Sequence, residues 1–168
     1  MNSDIERKFQ ELDKVLADAP RFCGPVVLNW IGERFRARNW MGDSTENWPQ
    51  RKDPTKWGKV KNPNRALLVG HNGAGRLKNS FVVERATEDG ILIGSDVGYA
   101  RAHNEGFKGT VSQRVRAHTR TRRGKDEKVK AHDRTIHQNL PRRQFIGNSQ
   151  HLAAAMIEEI WSRCNKIK

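Results

Sequence analysis

The sequence predicts an α+β domain, in which a small antiparallel sheet with an extended β-hairpin arm packs against N-terminal helices and a C-terminal helix. Three observations predict it. Apolar residues recur at helical spacing near both ends of the chain, and two apolar runs in the middle flank a turn. Beyond them, a long charged stretch alternates apolar and polar positions. A helix pair, a sheet and a final helix make this an α+β domain.

Ser3 followed by Glu6 has the form of a capping box, in which each side chain satisfies an orphan amide of the first turn. Ile5, Phe9, Leu12 and Leu16 follow one turn apart, so a first helix is expected over residues 4–18, ended by Pro20. Gly24 and Pro25 open a second helix, because proline in a first turn forfeits no hydrogen bond. Val27, Trp30, Ile31 and Phe35 give it one apolar stripe as far as residue 39. From 41 to 75 the periodicity dissolves, with Pro49, Pro54 and Pro63 as punctuation and Trp48 and Trp57 among basic residues. A loop of that length usually has a purpose. Its tryptophans have two readings, anchors that pin the loop to the core or platforms on which bases stack; a lone exposed indole near lysines is more often an anchor or part of an interface.

Leu77, Phe81 and Val83 lead into a strand, Glu88, Asp89 and Gly90 form a turn, and Ile91, Leu92, Ile93 and Gly94 return. Residues 97–105 read as a short helix closed by Gly106. Over 107–139, Val111, Val115 and Ala117 alternate with polar residues, and Val129 and Ala131 do so again. The span 120–128 is nearly all charged around Gly124, which makes two long strands with a charged tip. Between Arg101 and Arg143 thirteen Lys or Arg face four Asp or Glu, a net of +9. The tip is expected to project from the domain or to be poorly ordered. Ordering its long side chains costs roughly 1–2 kcal/mol each, and a solvated ion pair returns at most about 1 kcal/mol. Last come an extended segment at 140–147, a cap at Asn148 or Ser149, and a helix with Leu152, Met156 and Ile160 one turn apart.

The chain of 168 residues suits one domain, 1–168, and carries 35 % hydrophobic residues, below the usual share, so its core is small. Five tryptophans and six phenylalanines argue against disorder. The net charge of +13 points either to nucleic acid or to an acidic protein surface. Cys23 and Cys164 have no metal-type spacing and are expected as free thiols. The first residues lack the basic and apolar regions of a signal peptide, and the longest apolar run, 152–157, is too short for a bilayer. The expectation is a chain that meets no membrane and stays where it is made.

The catalytic motifs are weak. The run Gly70, His71, Asn72, Gly73, Ala74 and Gly75 lacks the Lys-Ser/Thr of a P-loop and reads as a turn. His103, Asn104, His132, Asp133, His137 and Asn139 are residue types of a His-Asn-His nuclease, but they fall on an arm where nothing holds them rigidly. Ser80, Ser95, Ser112 and Ser149 sit in no nucleophile elbow and are mostly turn or cap residues. The expectation is no catalytic residue, no metal, no cofactor, and a protein that is not an enzyme.

Several short features, in order, resemble the phage virion morphogenesis family, which includes tail-completion proteins of contractile-tailed phages. Phe35, Asn39 and Trp40 precede Trp48-Pro49, similar to that family's W-P loop. Gly75, Arg76, Leu77, Lys78, Asn79 and Ser80 resemble its step into the first strand. Ile93, Gly94 and Ser95, then Tyr99-Ala100, then His103 to Gly106, resemble V-G-T … Y-A-x-x-H-Q-x-G. Leu140, Pro141, Arg142, Arg143, Gln144, Phe145, Ile146 and Gly147 resemble I-P-A-R-P-F-L-G. The chain departs at Ala74, Arg143 and Gln144, and in its particularly basic arm.

The resemblance implies a structural virion protein of the tail or neck, assembled in the host cytoplasm. It further implies a six-fold ring of identical subunits, with the tail tube or terminator and head-completion or portal-side proteins as partners. Trp48, Pro49, Gly75, Leu77, Tyr99, Ala100, His103, Gly106, Pro141, Arg142, Phe145 and Gly147 take scaffold roles in it. Arg114, Arg116, Arg120, Arg122, Arg123, Lys125, Lys128 and Lys130 are the expected assembly contact of the arm. The same cations suit a phosphate backbone, which keeps a basic nucleic-acid-binding protein as the alternative and makes weak contact with genomic DNA compatible with a neck ring.

Overall fold

The computed structural model describes residues 2–51, 66–68 and 75–167. Trp57, Pro54, Pro63 and the run from Gly70 to Ala74 lie outside the described residues.

A single helix, α1 (Asn2–Ala37), replaces the two expected at the N-terminus, and Pro20 and Pro25 lie inside it. Each proline costs roughly 3 kcal/mol in a helix interior. Packing outweighs that cost, because the stripe does not stop at Pro20. Cys23, Val27, Trp30, Ile31 and Phe35 continue it and are all buried. Gly24 lets the next hairpin close on the helix, since a Cβ there would stand 2.9 Å from a Val83 methyl. The helix already includes Asn2, so Ser3 lies within the first turn rather than ahead of it as a cap. It ends earlier than residue 39 because Arg38 turns left-handed, with φ 57°.

Part of the expected loop is ordered as a small ladder, β1 (Asn39–Met41) with β2 (Thr45–Asn47). The predicted hairpin is β3 (Phe81–Thr87) with β4 (Gly90–Ser95), irregular between Val83 and Arg85. The short helix α2 (Ala100–Glu105) follows and ends at Gly106, φ 80°. The arm comprises β5 (Phe107–Val115), β6 (His118–Arg122), β7 (Lys125–Val129) and β8 (His132–Leu140). β5 pairs with β8 and β6 with β7, so the described strands form four two-stranded antiparallel ladders rather than one sheet. Both arm ladders keep one register, from Phe107↔Leu140 through Val115↔His132 to His118↔Val129 and Arg122↔Lys125. The arm is thus one continuous ribbon with a short break in each strand. Arg123 and Gly124, with φ 52° and 75°, make its two-residue turn, and two positive φ values mark the primed turn that suits strand twist.

The core is aromatic. Phe35 lies between Trp48, at 5.4 Å, and Phe145, at 5.1 Å, and Phe81 meets Phe145 at 5.5 Å. Leu77, Ile31 and Phe145 are the most deeply buried large side chains. The last helix, α3 (Gln150–Cys164), is capped by Ser149, whose Oγ accepts from Leu152 N. It lies along α1: Cys23 Sγ is 3.9 Å from the Met156 carbonyl, and Arg163 stacks 4.0 Å from the Phe22 ring. Burial raises the Cys23 thiol pKa. No described helix is long and apolar enough to cross a membrane.

Candidate assembly surfaces

The arm leaves the domain at Gly106 and returns at Pro141, and the residues around those points form a tightly bonded corner. Asn104 Oδ1 accepts from the backbone N–H of both Phe145 and Ile146, at 3.0 Å each. One short side chain thereby fixes the extended segment behind the arm. Arg143 N donates to His103 O at 2.8 Å, and Arg143 Nε donates to Pro49 O at 3.0 Å. Trp48 Nε1 donates to Gln144 O at 2.7 Å, and Ser149 Oγ donates to Met41 O. Four separate stretches of chain therefore meet at the arm's root. Gly106 is required there: it has positive φ, and a Cβ would lie 3.0 Å from Arg142 N.

Burial sets the electrostatics of this corner. Arg143 is 8 % exposed. Desolvation, then the nearby charge of Arg51, pulls its guanidinium below the usual arginine range. His103 is shifted down by burial and then by Arg143, which favours the neutral ring. Its Nδ1 is buried without a hydrogen-bond partner among the described residues, a condition a neutral imidazole tolerates far better than a charged one. Tyr99 stands edge-on to it at 5.7 Å and remains largely exposed.

The arm is the opposite kind of surface. Residues 116–128 are all exposed. Arg114 pairs with Asp133 at 2.9 Å and Arg120 with Glu127 at 2.9 Å, each directly across the ribbon. Thr121 donates to Asp126 at 2.6 Å, and Arg134 donates to Gln113 at 2.7 Å. Such exposed pairs contribute about 0.2–1 kcal/mol each. Arg116, Arg122, Arg123, Lys125, Lys128 and Lys130 have no ion pair among the described residues. Those six, with Arg114 and Arg120, are the cations expected from the sequence, brought together on one projecting element.

A profile of the phage virion morphogenesis family matches residues 7–164, and so includes α1, the corner and the arm alike. The chain belongs to the phage virion morphogenesis family. No curated protein and no solved structure matches it. Membership gives the chain a role in building the phage particle.

The family-motif residues in the sequence are mostly packing residues in the fold. Trp48, Leu77 and Phe145 are buried. Gly75, with φ 62°, turns the chain ahead of Leu77, and Asn79 N donates back to its carbonyl at 2.9 Å. Tyr99 and Ala100 begin α2, Gly106 ends it, and Gly147, with φ 155°, follows Phe145. Pro141 is half-buried and Arg142 exposed. Trp48 is 3 % exposed and hydrogen-bonded, so it is an anchor and offers no face to a base. His137 bonds Thr110 across the ribbon and His132 Nδ1 lies 2.9 Å from Lys130 O. No cluster of three or more His, Cys, Asp or Glu suited to a metal occurs among the described residues.

Sequence reasoning missed Asn104 as the clamp and Arg143 as a buried cation. It took the first as a nuclease-type residue and the second as a departure from the motif. The available signal was local: an Asn in the last turn of a short helix just ahead of Gly106, and an Arg two positions before the buried Phe145.

Proposed function

We propose that the chain completes the phage tail or joins head to tail, as a subunit of a neck or tail-terminator ring that acts by contact rather than catalysis. The observation that carries this reading is the exposed basic arm held on a rigid root. A ribbon of that length has too few apolar positions to bury itself in its own domain, so it needs a neighbour. A head-to-tail contact between identical subunits closes into a ring, and six-fold closure would match a tail. The further partners would be the tail tube or terminator on one side and head-completion or portal-side proteins on the other. The protein would then reside in the tail or neck of the virion, with assembly in the host cytoplasm.

Deleting residues 121–127 tests it. The domain should remain folded by circular dichroism while the yield of complete, infectious particles drops. Unfolding of the domain would make the arm part of the core. Unchanged folding and unchanged yield would remove the arm from assembly. Electron microscopy of particles should place the protein at the tail or neck, and its absence there would defeat the reading.

A nucleic-acid-binding role is the second reading, favoured by the six cations without ion pairs. Phosphate contacts would give a steep fall of log affinity with log salt, and no binding at low salt would dismiss it.

A further inference from the structure

The stripe that organises the core is only half used. Along α1, Ile5, Phe9, Leu12 and Leu16 continue the line of Cys23, Val27 and Ile31, yet Ile5, Phe9 and Leu16 are 54 %, 62 % and 49 % exposed. The C-terminal end of α3 reaches α1 at Phe22, on which Arg163 stacks, and Arg163 and Lys166 share a surface cavity with Lys14, Val15 and Asp18. Leu16 also opens an apolar cleft of about 550 Å³ between α1, α3 and the β3–β4 hairpin. Ile157 lines that cleft, and Trp161, one turn further along α3, is 62 % exposed. A soluble domain seldom leaves such a continuous apolar track open unless something covers it.

The charges identify the occupant. Over residues 2–18, Asp4, Glu6, Glu11, Asp13 and Asp18 face Arg7, Lys8 and Lys14, a net of −2 in a chain of +13. Glu6 and Asp13 lie two turns apart on one flank of the stripe and make no ion pair among the described residues. Residues 107–139 hold ten Lys or Arg against three Asp or Glu, a net of +7. The two elements also match in length. The open half of α1, residues 2–18 at 1.5 Å per residue, and the fully exposed outer ribbon from Arg116 to its turn, at about 3.4 Å per residue, each extend about 25 Å. Long basic side chains suit this track, since their methylene stems cover apolar surface while their heads reach flanking carboxylates, and a guanidinium over Phe9 adds a cation–π contact. Two acidic helix halves laid against each other would repel instead.

We infer that the basic arm of one copy docks along the exposed N-terminal half of α1 of a second copy, so that each subunit offers an arm to one neighbour and a helix to the other. The inference rests on the ring reading and names its contact.

Charge exchange in assembling phage tests it. Glu6→Lys with Asp13→Lys should lower the yield of complete particles about tenfold, and Arg122→Glu with Lys125→Glu should do the same, since like charges across an interface are strongly disfavoured. Combining all four changes should restore yield to near the original level. These positions are exposed, so the melting temperature of each variant should stay close to that of the unaltered chain. A second measurement does not depend on yield. In a Cys164→Ser background, Asp13→Cys with Lys125→Cys in one chain, treated with a short bismaleimide in particles, should give a ladder of covalent oligomers.

A failed rescue, or the absence of the ladder from particles that contain the protein, overturns the contact. Dimers formed by Asp13→Cys alone would indicate symmetric helix pairing and overturn it too, as would crosslinks from the arm to DNA or to a different protein. Absence of the unaltered protein from particles defeats the ring reading itself, and this outcome is separate from failure of the contact.

Discussion

At the arm's root Arg143 is 8 % exposed and spends its Nε on a backbone carbonyl, whereas Arg114 on the ribbon keeps 67 % of its side-chain surface and faces Asp133. The first cation has lost its water and depends on partners the fold supplies. The second retains water whether or not Asp133 is present. Removing a partner from a buried charge costs several kcal/mol; removing one from an exposed pair costs about 0.2–1 kcal/mol. Stability is therefore concentrated in the corner, and the arm can vary its charges with little effect on folding. That division fits an element whose sequence answers to a partner.

The sharpest way to break this comparison is to truncate at the root. Phe145→Ala removes a side chain that is 1 % exposed and meets Phe35, Trp48 and Phe81. It should cost about 3–5 kcal/mol in denaturant unfolding. Val129→Ala, on the ribbon, should cost less than about 1 kcal/mol of domain stability. Similar costs at the two sites would mean that arm and corner fold as one unit.

Asn104→Ala sharpens the same contrast. It leaves the N–H groups of Phe145 and Ile146 without their acceptor. Each orphaned buried group costs about 1–3 kcal/mol, and solvent can reach part of the segment, so a total near 2–3 kcal/mol is expected. Asn104→Asp keeps the acceptor and should cost less. Equal losses in the two variants would show that Asn104 acts by packing instead of accepting.

The parts of the fold that were legible in the sequence share a physical reason. The β3–β4 hairpin and the arm are local, with turn residues at Gly90 and Gly124 between alternating strands, so pattern and pairing lie close together. The α1 error arose from the reverse situation. Pro20 is a valid stop signal for an isolated chain, and packing of α3 and the β3–β4 hairpin, distant in sequence, stabilises the helix through it. The corner was half legible. Phe145 and Trp48 are large apolar residues whose burial composition suggests. Asn104 and Arg143 work through backbone carbonyls and amides some forty or more positions away, as in Asn104 with Phe145 and Arg143 with Pro49. No residue-type pattern encodes those pairings.

A smaller effect is expected from pH. His103 has its folded pKa below the ordinary value of 6.5, from burial first and Arg143 second. Above about 6.5 the ring is neutral in both states and its contribution is complete. As pH falls below 6.5, the unfolded chain takes up the proton first, so stability is lost progressively down to the lower folded value. Replacing His103 with Gln should flatten that part of the stability–pH curve, measured by urea unfolding between pH 5 and 7. A curve that keeps its slope would place the titrating group elsewhere.

The smallest effect on the whole domain is expected at the tip, where the comparison is most demanding. Gly124 has φ 75° at the ribbon's two-residue turn, and an L-residue there costs about 1–2 kcal/mol. If arm and core were one cooperative unit, Gly124→Ala would lower global stability by that amount. The ribbon beyond Val115 packs on no other element to any large extent, so it can open by itself. The penalty should then fall on local opening alone. Amide exchange in β6 and β7 should quicken about tenfold, the kinetic equivalent of about 1.4 kcal/mol. Exchange at buried core amides such as Ile31 and the global unfolding midpoint should not move. Slower exchange throughout the ribbon once the protein is in particles would show that a neighbour protects the tip there. Unchanged exchange in particles would mean that the tip stays solvated there and that the contact, if any, lies nearer the root.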